Sequence, residues 1–175
     1  DTVWTSPTNN AAFSPPLNFS GIMQSAPNQQ KLWFADGLTD RVYYDPALNT
    51  IEDWVLTDGT MPVDADGNGP RIVFLWRGRT GQTGLIGDPQ NIFFSKVDDP
   101  LDYDYSPASP SATDAVALNL SDLGIIGDVV TALIPYTDDI LIFGGDHTIY
   151  MMRGDPMAGG QIDLISDQIG MAWGQ

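Results

Sequence analysis

The chain has 175 residues and a mass of 19.0 kDa, with 42% hydrophobic residues, so it can bury one sizeable core and lacks the composition of a disordered polymer. Its 23 acidic residues against 7 basic ones give a net charge of −16, which repels phosphate backbones and anionic lipid and excludes a basic nucleic-acid reader or a polybasic membrane anchor. With no cysteine and one histidine, disulfides, thiol nucleophiles, cysteine-ligated zinc and multi-histidine metal centres are excluded as well.

Glycine (18) and proline (13) are spread along the whole chain, which is the punctuation of short strands separated by turns. No stretch keeps a helical apolar period for three turns. The residues predict ten strands, at 31–34, 41–44, 51–56, 71–76, 91–94, 115–120, 129–134, 140–143, 148–152 and 161–165. The segment 1–30 reads as irregular. The longest apolar run, Ile72-Val-Phe-Leu-Trp76, is far too short to cross a bilayer, which needs about 20 residues. Asp1 in place of a methionine suggests a processed chain.

Three segments repeat. Asp40-Arg-Val-Tyr-Tyr-Asp-Pro46, Gln90-Asn-Ile-Phe-Phe-Ser-Lys-Val-Asp-Asp-Pro100 and His147-Thr-Ile-Tyr-Met-Met-Arg-Gly-Asp-Pro156 each carry a β-branched residue before an aromatic one and end on Asp-Pro. Asp45, Asp99 and Asp155 are 54 and 56 residues apart. Aspartate bonds the backbone ahead of it, and proline removes the amide that would continue a ladder, so each segment reads as a strand closed by a turn. With flanking strands, the unit is four-stranded and about 55 residues long, as in a propeller blade. The expected fold is therefore all-β and propeller-like, with about three antiparallel blades: residues 1–30 leading in, 31–69 the first blade, 70–122 the second, and 123–175 the third with the start of another. Closed propellers usually hold four to eight blades, so the sequence suggests a piece of a larger propeller; an open stack of three sheets is the other reading.

The stretch from Pro70 to Gly174 resembles the virion β-propeller proteins of tailed bacteriophages, in particular those of the tail nozzle or tail tube. The segments that carry the resemblance are Arg71-Ile-Val-Phe-Leu-Trp-Arg-Gly-Arg79, the run from Asp88 through Asp102-Tyr-Asp-Tyr105, and the run from Gly127 through Ile140-Leu-Ile-Phe-Gly-Gly-Asp146 to Pro156. Thr80-Gly-Gln-Thr-Gly84 departs from the family's apolar run and reads as a weak strand. The resemblance implies a structural virion protein without enzymatic activity, located in the phage tail. It would form part of a ring through which DNA passes, its partners being other copies of itself and neighbouring tail proteins, with no specific nucleic-acid binding and no membrane. An acidic channel wall suits that role, because it lets a polyanion slide.

Several motifs are candidate sites. Asp64, Asp66 and Asn68 open like a calcium loop, but Ile72 and Leu75 stand where the closing ligands belong; the loop could bind calcium weakly or be an acidic turn. No other cofactor is expected. Arg71, Arg77 and Arg79 put three of seven basic residues within nine positions, and either dock an acidic neighbouring subunit or pair each within its own blade. Asp98, Asp99, Asp102 and Asp104 offer either the paired carboxylates of a glycosidase or the charged edge of a strand. His147 lies in a Gly-Gly-Asp-His turn without a nucleophile elbow. Asn18 and Asn119 fit a glycosylation pattern, and Arg153-Gly-Asp155 coincides with the repeating turn. Trp33, Trp54, Trp76 and Trp173 read mainly as core; an exposed subset would stack on sugars, so the alternative function is an extracellular glycan-binding propeller module.

Overall fold

A computed structural model describes residues 6–9, 23–37, 41–121 and 129–172. The fold is all-β. The first sheet is a meander of β2 (Gln24–Asn28), β3 (Lys31–Ala35), β4 (Val42–Asp45) and β5 (Thr50–Asp53), with the short β1 (Thr8–Asn9) parallel to β5 at its edge. The second runs β7 (Ile72–Trp76), β8 (Arg79–Thr83), β9 (Asn91–Phe94) and β11 (Val116–Asn119); the third runs β12 (Ala132–Thr137), β13 (Ile140–Gly144), β14 (Ile149–Arg153) and β15 (Gln161–Ser166). All ladders within these three meanders are antiparallel. A two-residue parallel pair, β6 (Asp58–Gly59) with β10 (Asp102–Tyr103), ties the link leaving the first sheet to the long loop of the second.

Each predicted strand overlaps an observed one, and the repeated segments supply β4, β9 and β14, the third strand of each sheet. The expected turn chemistry is present at all three aspartates. Asp45 Oδ1 accepts the amide of Ala47 at 2.9 Å, Asp99 Oδ1 that of Leu101 at 3.0 Å, and Asp155 Oδ1 that of Met157 at 2.8 Å. The aspartates are not in register with their strands, however. Asp45 closes β4 itself, whereas Asp99 lies well beyond the end of β9 at Phe94, in the loop that carries β10.

Two expectations need correction. Gln24–Asn28, in the stretch read as irregular, pairs with β3 along its whole length, its Pro27 tolerated because β2 is an edge strand of its sheet. The weak strand at 80–84 is β8, which is paired on both sides and buried at every position. It succeeds without apolar residues because Gly81 leaves room for the ring of Phe74, its cross-strand partner: a Cβ at Gly81 would lie 2.0 Å from Phe74 Cζ.

The sheets pack face to face in chain order. Ile72, Phe74 and Trp76 of β7, with Ile92 and Phe94 of β9, meet Leu133, Leu141, Phe143, Tyr150 and Met152 of the third sheet. On the opposite face, Val73 and Phe93 meet Ala26, Trp33, Ala35 and Tyr43 of the first sheet, together with Trp54 and Tyr103. Burying each such side chain contributes about 1.5–3 kcal/mol, so these two joints supply most of the driving force. Among the described residues the buried indoles are satisfied: Trp33 Nε1 donates to Asn28 O, Trp54 Nε1 to Pro100 O and Trp76 Nε1 to Thr137 O, at 2.8–3.0 Å. The first strands of successive sheets lie beside one another, β2 by β7 and β7 by β12.

Candidate functional site

The arginine-rich segment folds as the β7–β8 hairpin. Its two-residue turn, Arg77-Gly78, has positive φ at both positions (52° and 72°), the geometry that matches the twist of paired strands. Arg77 is held there by the third sheet: Nη1 donates to Asp138 O at 2.9 Å and Asp139 Oδ1 at 3.2 Å, and Nε lies 3.5 Å from Asp155 Oδ2. Arg79 has no exposed surface. Its Nη1 donates to the carbonyls of Ser95 (3.0 Å), Thr113 (3.2 Å) and Asp114, its Nη2 donates to Ala112 O at 2.9 Å, and Asp155 Oδ1 is 3.7 Å away. Burial pulls the Arg79 guanidinium below its usual pKa, Asp155 opposes that shift, and the neighbouring Arg77 adds to it. The cluster is thus a pin between the second and third sheets of one chain. For Arg79 this replaces the expected contact with a neighbouring subunit, since a fully enclosed side chain cannot reach one. Arg71 is exposed and lies apart from the pin, its side chain lying over Gly37.

Asp155 therefore has two duties, capping its own turn through Oδ1 and facing two guanidiniums. The same residue completes Arg153-Gly-Asp155, whose Arg153 pairs with Asp163. The tripeptide is absorbed by the fold.

The aspartates of 98–104 are taken up by turns and a lysine. Asp99 caps Leu101; Asp102, buried, faces Lys96 Nζ at 3.2 Å and accepts the amide of Asp104; Asp104 accepts the amide of Ser106 at 2.9 Å. The hydrogen bond to Asp102 raises the Lys96 pKa. Asp98, at φ 57°, uses its backbone, its N–H donating to Gly78 O and its carbonyl accepting from Gln29 of the first sheet.

The loop at 64–68 closes on itself. Asp64 Oδ1 accepts the amides of Asp66 (3.0 Å) and Asn68 (2.8 Å), and Asn68 Nδ2 donates to Asp64 Oδ2 at 3.3 Å. Burial pushes the Asp64 carboxyl up, but hydrogen bonds from Asn68, Asp66 and Gly87 outweigh it and leave the group below its usual value. Asp66 is exposed, and Asn68 presents its donor rather than its oxygen to Asp64. Among the described residues, no group of three or more His, Asp or Glu is placed to hold a metal ion. His147 is exposed in the turn between β13 and β14, and Asn119 Oδ1 accepts the amide of Ser121 at 2.9 Å. Asn18 and Trp173 lie outside the described residues.

One polar node was not singled out from the sequence. Between the first and second sheets, Arg41 is buried beside Tyr103 and Tyr105, its Nη2 donating to Pro62 O at 2.8 Å. Burial lowers its pKa to about 10, against opposing pulls from Tyr103, Asp36 and Tyr105. Burial likewise pushes both tyrosine hydroxyls well above their usual value. Tyr103 OH donates to Thr80 O at 2.9 Å. The only hint in the sequence is a cation directly before an apolar strand.

No family model matches the chain, and no curated protein is significantly similar to it.

Proposed function

We propose that the chain is a structural, non-enzymatic virion protein of a tailed bacteriophage, its three sheets being propeller blades, and that it forms part of the wall of a tail tube or nozzle ring through which DNA leaves. One observation carries this reading: the charged motifs are spent on holding sheets together. Arg77 and Arg79 pin the third sheet to the second, and Asp99, Asp102, Asp104 and Asp155 cap turns or face those cations. What is left is a stack of four-stranded meanders whose first strands are neighbours, as they are around a propeller axis. The net charge of −16 suits a surface along which DNA slides without counterion release. Partners would be other copies of the chain and neighbouring tail proteins.

The glycan-binding alternative needs exposed aromatic platforms, and Trp33, Trp54 and Trp76 instead face the joints between sheets. Negative-stain electron microscopy of the concentrated protein, run beside a glycan array, decides between the two. Annular assemblies with an open centre and a silent array are expected. Globular particles that light up the array would end the virion reading.

A further inference from the structure

The two joints bury apolar rows, but they differ in what else they enclose. The joint between the second and third sheets gathers aliphatic and aromatic side chains around Phe94 and Phe143. The joint between the first and second sheets adds a polar knot to its apolar row. Gln82 is put there by register: on β8 it stands opposite Val73 and Phe93, the residues that face the first sheet, and so shares their face. Its Nε2 donates to Met61 Sδ at 3.6 Å, and its amide hydrogen-bonds the Tyr103 hydroxyl. Arg41 Nη2 donates to the carbonyl of Pro62, the residue after Met61, and its guanidinium interacts electrostatically with Tyr103, Tyr105 and Asp36. Tyr105 closes the circuit, its ring centroid 6.4 Å from that of Tyr103 and 6.1 Å from that of Phe93.

Within this knot Arg41 Nε, Gln82 Oε1 and Tyr105 OH are shut off from solvent and have no hydrogen-bond partner among the described residues. Buried polar atoms are nearly always paired, because an unmet one carries its whole desolvation cost. These atoms are complementary rather than alike: Arg41 Nε only donates, Gln82 Oε1 only accepts, and a tyrosine hydroxyl does either. We infer that a water molecule is an integral part of the joint, accepting from Arg41 Nε and Tyr105 OH and donating to Gln82 Oε1. Water is the ligand whose chemistry fits. It accepts and donates at once, and an internal water typically makes about three hydrogen bonds to groups of this kind. An anion would take the two donors but give nothing to Gln82 Oε1, and Asp36 already acts on Arg41 with negative charge. Arg41 leads into β4, Gln82 lies on β8 and Tyr105 follows β10, so the water ties the first sheet to a strand and to the long loop of the second. The inference is independent of the virion role.

A high-resolution crystal structure of the chain, with a second crystal soaked in bromide, tests it. The expected result is a density peak within hydrogen-bond distance of Arg41 Nε, Gln82 Oε1 and Tyr105 OH, without anomalous signal from bromide. A bromide peak at that point would make the site an anion site and overturn the inference. So would the same atoms paired directly with one another and no density between them. Oxygen-17 magnetic relaxation dispersion, whose amplitude counts waters held longer than the protein takes to tumble, gives the solution counterpart. Gln82→Met combined with Tyr105→Phe nearly conserves volume and leaves Arg41 Nε alone, short of the roughly two to four polar partners that a buried water needs. The double variant should lose the amplitude of one water. An undiminished amplitude, with the far-ultraviolet spectrum of the parent, would overturn the inference, and the parent crystal decides the matter if the double variant misfolds.

Discussion

Arg79 ties β8 to the long loop of its own sheet and, through Asp155, to the third sheet. Its enclosed guanidinium serves four carbonyls and faces Asp155, so its removal strands acceptors from three stretches of chain at once. Breaking a buried charged network in this way costs about 3–5 kcal/mol. At about 2–4 °C per kcal/mol for a chain of this size, Arg79→Met should lower the melting temperature by roughly 10 °C. Arg79→Lys should recover little, because an ammonium cannot fork to several carbonyls. Asp155→Asn keeps the turn-cap acceptor and loses a carboxylate facing two guanidiniums at 3.5 and 3.7 Å, while the four carbonyls still hold Arg79, so it should cost less than Arg79→Met. A thermal scan in which Asp155→Asn is the more damaging variant would contradict this ranking. The arginines were legible in the sequence as a group, but their target was not. Asp139 and Asp155 are brought to them only by the packing of one sheet on another, and spacing along a chain carries no record of that.

At the level of elements, what the sequence made legible was the strand with its own apolar periodicity. Ile72–Trp76 announces itself as an unbroken apolar run because both its faces enter cores, and Ile140–Gly144 because every second side chain does. β8 did not, because Thr80, Gln82 and Thr83 are polar and its place comes from neighbours on both sides. Gly81 is the requirement hidden in it. Gly81→Ala would drive a methyl into the Phe74 ring, and overpacking of that kind costs about 1–3 kcal/mol. Chemical denaturation should show the loss; an unchanged midpoint would mean that the ring can move aside. The β2–β3 hairpin invites the opposite change. Gln29 and Gln30 both adopt positive φ, at 51° and 60°, where a side chain costs roughly 1–2 kcal/mol. Gln29 is retained by its bond to Asp98 O, whereas Gln30→Gly should stabilise the protein by about 1 kcal/mol. β6 and β10, two residues each, have no local signal at all and exist because the two loops meet.

For the molecule as a whole, the joint between the first and second sheets predicts how the fold responds to pH. Toward acid, Asp64 is held low by its loop, and Asp163 by hydrogen bonds from Arg153 and Gln161. Their contributions are present above the unfolded carboxylate range and are lost as pH falls below it. Toward alkali the sign depends on the buried node. Tyr103 and Tyr105 have raised values, so an unfolded chain releases their protons near pH 10 while the folded chain keeps them. Stability therefore falls as pH rises past that point. Each fully displaced group contributes a slope of about 1.4 kcal/mol per pH unit, and the two tyrosines act in the same direction. Tyr103→Phe removes one of them, so that variant, though weaker at neutral pH by its lost hydrogen bond to Thr80 O, should show a shallower alkaline limb. Urea midpoints measured from pH 9 to 12 would decide it, and equal slopes in parent and variant would show that Tyr103 is not shielded by the packing of the two sheets.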